Sequence, residues 1–397
     1  MSENTNRSGE KLWTLPFILV LIVGVISGAA TQMVTPLIME YSVKLGAPMT
    51  IAATIASVIS ITALFLRPFC GMLSDKVNRH TMLMISTALA GVCVLGYSFA
   101  ATPGMMVGIR IAHGVAFAFM GVSNMAFATD YIPASRMGEG IGWFGLSVIV
   151  AQAFGPGLGV YLADNFSYNV SFVCAAALYA ASVILMLAIP AKASVRSPAK
   201  RETPKLTMSN FIEPKILLPV VTLGMFSVVN SLVGNYLKLI ATERGILDIG
   251  LFFTVYSVVV FACRPFAGRL QDRKGLSVIL YPALVITAVS MILIGRTGSL
   301  WVMLVAAVLK GIGQGTGAPA IQAECIKELG RERSGVATST CYIGQDLGMI
   351  IGPIAGSFVY NSSGYSGVFN TGAVALLVMG GSAYLVHTLI RGRKTAQ

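Results

Sequence analysis

The chain is 397 residues long, 55% hydrophobic and only 11% charged, less than half the charge of a typical soluble domain. That composition excludes a soluble enzyme or a nucleic-acid-binding module, even with a net charge of +12. A bilayer core of about 30 Å takes about 20 apolar residues per helix, so the length fits about twelve crossings joined by short loops.

In chain order the apolar runs are 14–39, 48–73, 81–101, 104–129, 140–163, 168–189, 216–241, 248–270, 276–296, 300–325, 335–360 and 367–390. They are too long for membrane strands and do not alternate. Backbone groups in lipid must be satisfied internally, so the runs are predicted to be helices. Lys11 and the small residues Ser27–Ala30 give the first run some features of a signal peptide. It is longer than an ordinary signal-peptide core and is read as a span. A basic stretch at 190–215 carries Pro190, Pro198, Pro204 and Pro214. It is read as a linker between two six-span halves, 1–189 and 216–397. The expected fold is an all-α membrane protein of twelve transmembrane helices in two pseudo-symmetric six-helix bundles.

The distribution of Lys and Arg sets the expected orientation. Twenty of the 28 basic residues fall in one set of inter-span segments, and only Lys44, Arg244 and Arg296 fall in the other. Both termini are therefore expected in the cytoplasm. Trp13, Trp143 and Trp301 sit near helix starts, as interfacial tryptophans do. The six cysteines form no CxxC pair and are read as small apolar packing residues.

The halves repeat. Arg67-Pro68-Phe69-Cys70-Gly71-Met72-Leu73-Ser74-Asp75 returns as Arg264-Pro265-Phe266-Ala267-Gly268-Arg269-Leu270-Gln271-Asp272, 197 positions later. Gly155-Pro156-Gly157-Leu158-Gly159 is echoed by Gly352-Pro353-Ile354-Ala355-Gly356 at the same offset. Paired six-helix halves around a central path are a transporter arrangement.

These motifs identify a resemblance. Gly71-x-x-x-Asp75-Lys76-x-Asn78-Arg79-His80, its copy Gly268-x-x-x-Asp272-Arg273-Lys274-Gly275, and Arg110-x-x-x-Gly114 resemble the major facilitator superfamily over essentially the whole chain. The Gly155-Pro156-Gly157-x-Gly159 motif resembles that of its twelve-helix drug:proton antiporter branch. Asn78 stands where glycine is usual, and asparagine tolerates the left-handed backbone of a tight turn. The resemblance implies alternating access and a cytoplasmic gate. The gate candidates are Arg67, Gly71, Asp75, Arg79, Asp130, Arg136, Arg264, Gly268, Asp272, Arg273 and Arg333, with Glu324 as a further acid. It also implies a role for Arg110 in proton coupling, and for Gly155, Pro156 and Gly159 in sealing the pathway of an exporter.

Other candidates come from the residues themselves. Asp346 is the most central carboxylate, mid-way along the eleventh run, and an intramembrane acid is a functional-site hypothesis by default, read here as a site for a coupling proton or a cationic substrate. Arg110, with His113 three residues on, shares a helix face. The alternative for Arg110 is snorkelling to the outer interface. Lys238 lies near the outer end of its run and Glu40 near the outer end of the first, while Lys310 is deeper and expected to face a cavity. Gln32, Phe117, Asn124, Gln152, Asn230, Tyr256, Gln314 and Gln345 are candidates for the substrate cavity.

The leading reading is a proton-coupled exporter of small amphipathic molecules. The rival is a proton-coupled carrier of one metabolite: a sugar, organic anion or metallophore. Only three histidines occur, widely spaced, and there is no GxxxxGK[ST] loop, which argues against a membrane enzyme or an ATP-driven pump. No cofactor or metal is expected. The expected partners are a small-molecule substrate, protons and the lipid of a bacterial cytoplasmic membrane, with no nucleic acid and the protein a monomer.

Overall fold

A computed structural model describes residues 11–74, 78–133, 136–190, 213–330 and 333–395. The side chains of residues 67, 68, 71–74, 138, 265, 272, 334, 335 and 391–395 lie outside that description. Most of the linker expected at 190–215 lies outside it as well.

The first six helices are α1 (Leu15–Lys44), α2 (Met49–Ser74), α3 (Arg79–Tyr97), α4 (Pro103–Thr129), α5 (Met137–Asn165) and α6 (Tyr168–Leu187). A 3-10 turn, Pro214–Ile216, leads into α7 (Leu217–Glu243). Then follow α8 (Gly250–Lys274), α9 (Ser277–Arg296), α10 (Leu300–Leu329), α11 (Ser334–Ala375) and α12 (Gly381–Thr395), the last two joined by a π-turn, Leu376–Gly380.

Local chemistry sets the helix ends. Thr14, Thr102 and Ser167 cap α1, α4 and α6 by accepting from backbone N–H groups three residues on, which satisfies donors that have no helical partner. Pro103 opens α4, where its missing N–H costs nothing. Gly275 and Gly330 stop α8 and α10 with φ of 81° and 78°, a region that favours glycine. Asn78 does not do the job of a left-handed residue. Its φ is −61°, and its side chain caps α3 by accepting from the His80 N–H at 2.9 Å. The asparagine thus replaces a turn with a cap.

The helices outrun several apolar runs, because polar residues at the membrane edge stay helical. Among the described residues, nine of them each carry one continuous apolar stretch long enough to span, and Val336–Ile390 forms a tenth. That stretch holds two crossings, because Gly364, at φ 61° and ψ −168°, breaks the helix into 334–363 and 365–375. The remaining crossing is α8, in which Gly250–Arg264 is a shorter apolar stretch among the described residues. Large apolar side chains such as Phe65, Phe99, Ile184 and Phe266 lie exposed on the perimeter, as a lipid-facing surface requires. Trp13 and Trp143 pack edge to face with ring centroids 4.9 Å apart.

The packing repeats as the sequence does. In the first half α1 packs on α5, α2 on α4 and α3 on α4; in the second α7 packs on α11, α8 on α10 and α9 on α10. Small residues permit these approaches. A Cβ on Gly114 of α4 would meet Thr62 of α2 at 2.6 Å, and one on Gly311 of α10 would meet Val259 of α8 at 2.8 Å. Both contacts lie 197 residues apart, the offset of the sequence motifs.

The two halves meet through α2 with α11, α5 with α8, and α1 with α7. The starts of α1, α3 and α5 share one end of the bundle, here the basic end. Every described inter-half hydrogen bond lies toward the other, far end. Asn361 donates to Thr50 at 3.4 Å, Ser57 to the Ile350 carbonyl at 3.3 Å, and Thr254 to the Ala153 carbonyl at 3.1 Å.

Candidate substrate pathway

Asp346 lies mid-way along the eleventh crossing and is 5% exposed. Its helix is the one that closes against α2 between the halves. Arg110 and His113 sit on α4, turned toward α2 and α3. Arg110 donates from Nε to the Ile55 carbonyl at 3.3 Å and from Nη2 to the Ala56 carbonyl at 2.9 Å. It is buried and does not snorkel. His113 Nδ1 lies 2.9 Å from the Tyr97 hydroxyl, while its Nε2 is buried without a hydrogen-bond partner. The structure therefore groups Arg110 with His113 and adds Tyr97.

All eight predicted cavity residues are partly exposed. Two of them converge on one group. Lys310 of α10 donates to Asn230 of α7 at 2.8 Å and stands 4.0 Å above the Tyr256 ring of α8. Glycines at 311, 313, 315 and 317 bring α10 close enough to α8 and α9 for this to happen.

The far end carries an ion cluster that spans the halves. Lys238 of α7, 2% exposed, pairs with Glu40 of α1 at 3.3 Å and with Asp164 of α5. Thr242 donates to Glu40 at 3.2 Å. Lys238 does not snorkel, because its ammonium has two carboxylates within the protein. Nothing in the sequence pairs Asp164 with it except that both are charges at far-end helix termini. Elsewhere between the halves, Gly157 of α5 and Gly250 of α8 touch backbone to backbone: a Cβ on Gly157 would meet the Gly250 carbonyl at 3.1 Å. Gly155 and Gly159 instead press on α1, at Ala29 and Met33. The motif thus holds α5 to α1 inside one half and to α8 across the halves.

At the basic end the described ion pairs close within single halves. Arg79 pairs with Asp130 at 2.8 Å, tying α3 to α4. Arg136 grips Glu139 at 2.7 Å. Arg333 pairs with Glu213 at 2.5 Å, ahead of α7. Arg264, Gly268 and Arg273 are exposed. Asp75 and the side chains at Arg67, Gly71 and Asp272 lie outside the described residues. Glu139 and Glu213 were not singled out by sequence, because each is an ordinary loop acid until its partner is placed.

The profile of the Major Facilitator Superfamily matches residues 20–247 and 220–395. The chain belongs to that superfamily. Its relatives include the multidrug resistance protein MdtG of Enterobacter lignolyticus (strain SCF1), 27% identical over 396 residues, covering 94% of this chain and 91% of that one. MdtG of Klebsiella pneumoniae (strain 342) is 27% identical over 367 residues, covering 87% and 86%. Among solved structures, a POT family transporter in complex with a thioalcohol-conjugated peptide superposes with a TM-score of 0.78 at 13% identity, covering 96% of each chain. A bacterial homologue of the lysosomal transporter Spinster, in an inward-facing and unoccupied conformation, gives 0.75 at 12% identity, covering 94% and 96%. These share the fold. A superfamily member with this fold is a multi-pass membrane transporter of small molecules and not an enzyme.

Proposed function

We propose that this transporter is a proton-coupled exporter of small amphipathic molecules in a bacterial cytoplasmic membrane. The observation that carries the reading is Asp346, a buried carboxylate half-way through the bilayer on a helix at the interface between the halves. Relatives named for multidrug resistance support the direction. The excess of Lys and Arg at the basic end supports its placement in the cytoplasm with both termini. The far end is then the outer one, where the described bonds between the halves lie. The protein works as a monomer.

In this scheme the transporter alternates by rocking residues 1–189 against 216–397. Substrate enters between the halves from the cytoplasm. A proton taken up by Asp346 from outside neutralises a charge that is costly to carry through the bilayer interior. Its release inside resets the cycle. The partly exposed Gln32, Phe117, Asn124, Gln152, Asn230, Tyr256, Gln314 and Gln345 line the path, since polar groups facing lipid are disfavoured. Arg110 and His113 shape the first half around it. The Arg67, Gly71, Asp75 motif and its Arg264, Gly268, Asp272 copy latch the cytoplasmic side when the outer side opens.

The test is proton movement in proteoliposomes loaded with a pH-sensitive dye, under an imposed gradient, with lipophilic cations, neutral drugs and organic anions added singly. Compound-dependent proton flux that falls to background in Asp346→Asn is the expected result. Flux that persists in the variant moves the coupling role to another group. No flux with any compound, in protein shown to be folded, rejects the proton-coupled exporter.

A further inference from the structure

Among the described residues two lysines are buried, and they are treated differently. Lys238 has two carboxylate partners. Lys310, 1% exposed, has none: among the described residues no carboxylate forms an ion pair with it, and its contacts are the Asn230 amide oxygen and the face of the Tyr256 ring. A buried cation without a counter-charge is strongly disfavoured, and an ammonium has three N–H donors to satisfy. A structural role is served better by an apolar side chain of similar length.

The surroundings of Lys310 are those of an anion site. Asn230, by turning its oxygen to the ammonium, points its NH₂ donors the other way. Gln314 lies one turn beyond Lys310 on the same face of α10, and its Oε1 is buried without a hydrogen-bond partner. Rotation of that amide presents N–H donors in place of the oxygen. Asn230, Tyr256 and Gln314 are all partly exposed, so the cation lies one side chain below an accessible surface. Tyr256 adds an aromatic face suited to an apolar body. The close approach of α10 to α8 at Gly311 fixes the ammonium over that ring.

We infer that Lys310, with Asn230, Tyr256 and Gln314, receives the carboxylate of an amphipathic anion, so that the transported molecules are hydrophobic carboxylates. This rests on the transport reading above and narrows its substrate class. Lys310 sets specificity and Asp346 carries the proton, two tasks on separate helices of the second half.

The test uses naphthylacetate, its neutral amide and its trimethylammonium analogue, with binding to the purified full-length protein read by naphthyl fluorescence. The protein should bind the carboxylate at least about ten-fold more tightly than the amide. Lys310→Met should erase that preference while changing amide binding by less than about two-fold. Lys310→Arg, which keeps the charge, should retain most of it. Thermal stability of Lys310→Met should be equal or higher, since an uncompensated charge has been removed. Preference for the trimethylammonium analogue in the unmodified protein overturns the proposal, as does a uniform loss for all three compounds in Lys310→Met. Proteoliposome flux separates the two readings. Movement of the ammonium compound alone leaves the exporter standing and removes the anion site. Absence of binding and flux for all three removes both.

Discussion

In the proposed cycle, Lys238→Met is expected to shift the population toward the state whose outer end is open. The ammonium joins α7 to Glu40 of α1 and Asp164 of α5, so every bond it makes crosses between the halves. Breaking a buried pair by removing one partner costs about 3–5 kcal/mol. Nearly all of that falls on Glu40, because Asp164 is 46% exposed and a screened partner is worth little. The cost is borne only while the outer end is shut, since opening hydrates Glu40. A shift of about two to three and a half decades in the equilibrium follows at about 1.4 kcal/mol per decade. The readout is disulfide cross-linking of Thr50→Cys with Asn361→Cys, whose native side chains touch across the halves at 3.4 Å. The cross-link should form readily with Lys238 present and at least about ten-fold more slowly in Lys238→Met. Adding Glu40→Gln should restore much of the rate. An unchanged rate in Lys238→Met would show that the cluster holds nothing shut.

The second large effect separates two glycines within one motif. Gly157→Leu should leave the protein folded and stop transport. Its side chain would enter the gap between α5 and α8, where the Gly250 carbonyl already sits 3.1 Å from the Cβ position and Thr254 Oγ1 sits at 3.4 Å. That wedge acts between the halves and opposes closure of the outer end. Gly159→Leu should instead lose folded protein, because its Cβ position overlaps the Met33 backbone of α1 within the first half. Overpacking a close-packed interior costs about 1–3 kcal/mol even when neighbours yield, and backbone cannot yield as a side chain does. Expression and gel-filtration profiles read the second variant, and proteoliposome flux with the Thr50–Asn361 cross-link reads the first. Equal loss of folded protein in both would refute the division of labour.

The spans and the repeat were legible because lipid leaves little freedom: apolar runs of this length have to be helices, and a duplicated motif at one offset points to duplicated packing. The junction of the last two crossings was not legible. Asn361, Ser362 and Ser363 read as a loop, yet they complete the helix, and Gly364 alone departs from it. Asp346 and Lys310 stood out in the sequence because charge is rare at that depth. Their neighbours did not. Lys238 meets Asp164 across 74 residues, and Arg110 uses the backbone carbonyls of Ile55 and Ala56, which leave no trace in side-chain type. Asn78 was read for its tolerance of left-handed backbone and instead serves through its side-chain oxygen.

Gly364 has a mechanical consequence. Between the eleventh and twelfth crossings the chain has no loop, only this one residue at φ 61°. The joint is an elbow without slack. In the proposed rocking of the halves, a joint this short obliges the twelfth crossing to move with the eleventh, and the π-turn at Leu376–Gly380 continues the same rod.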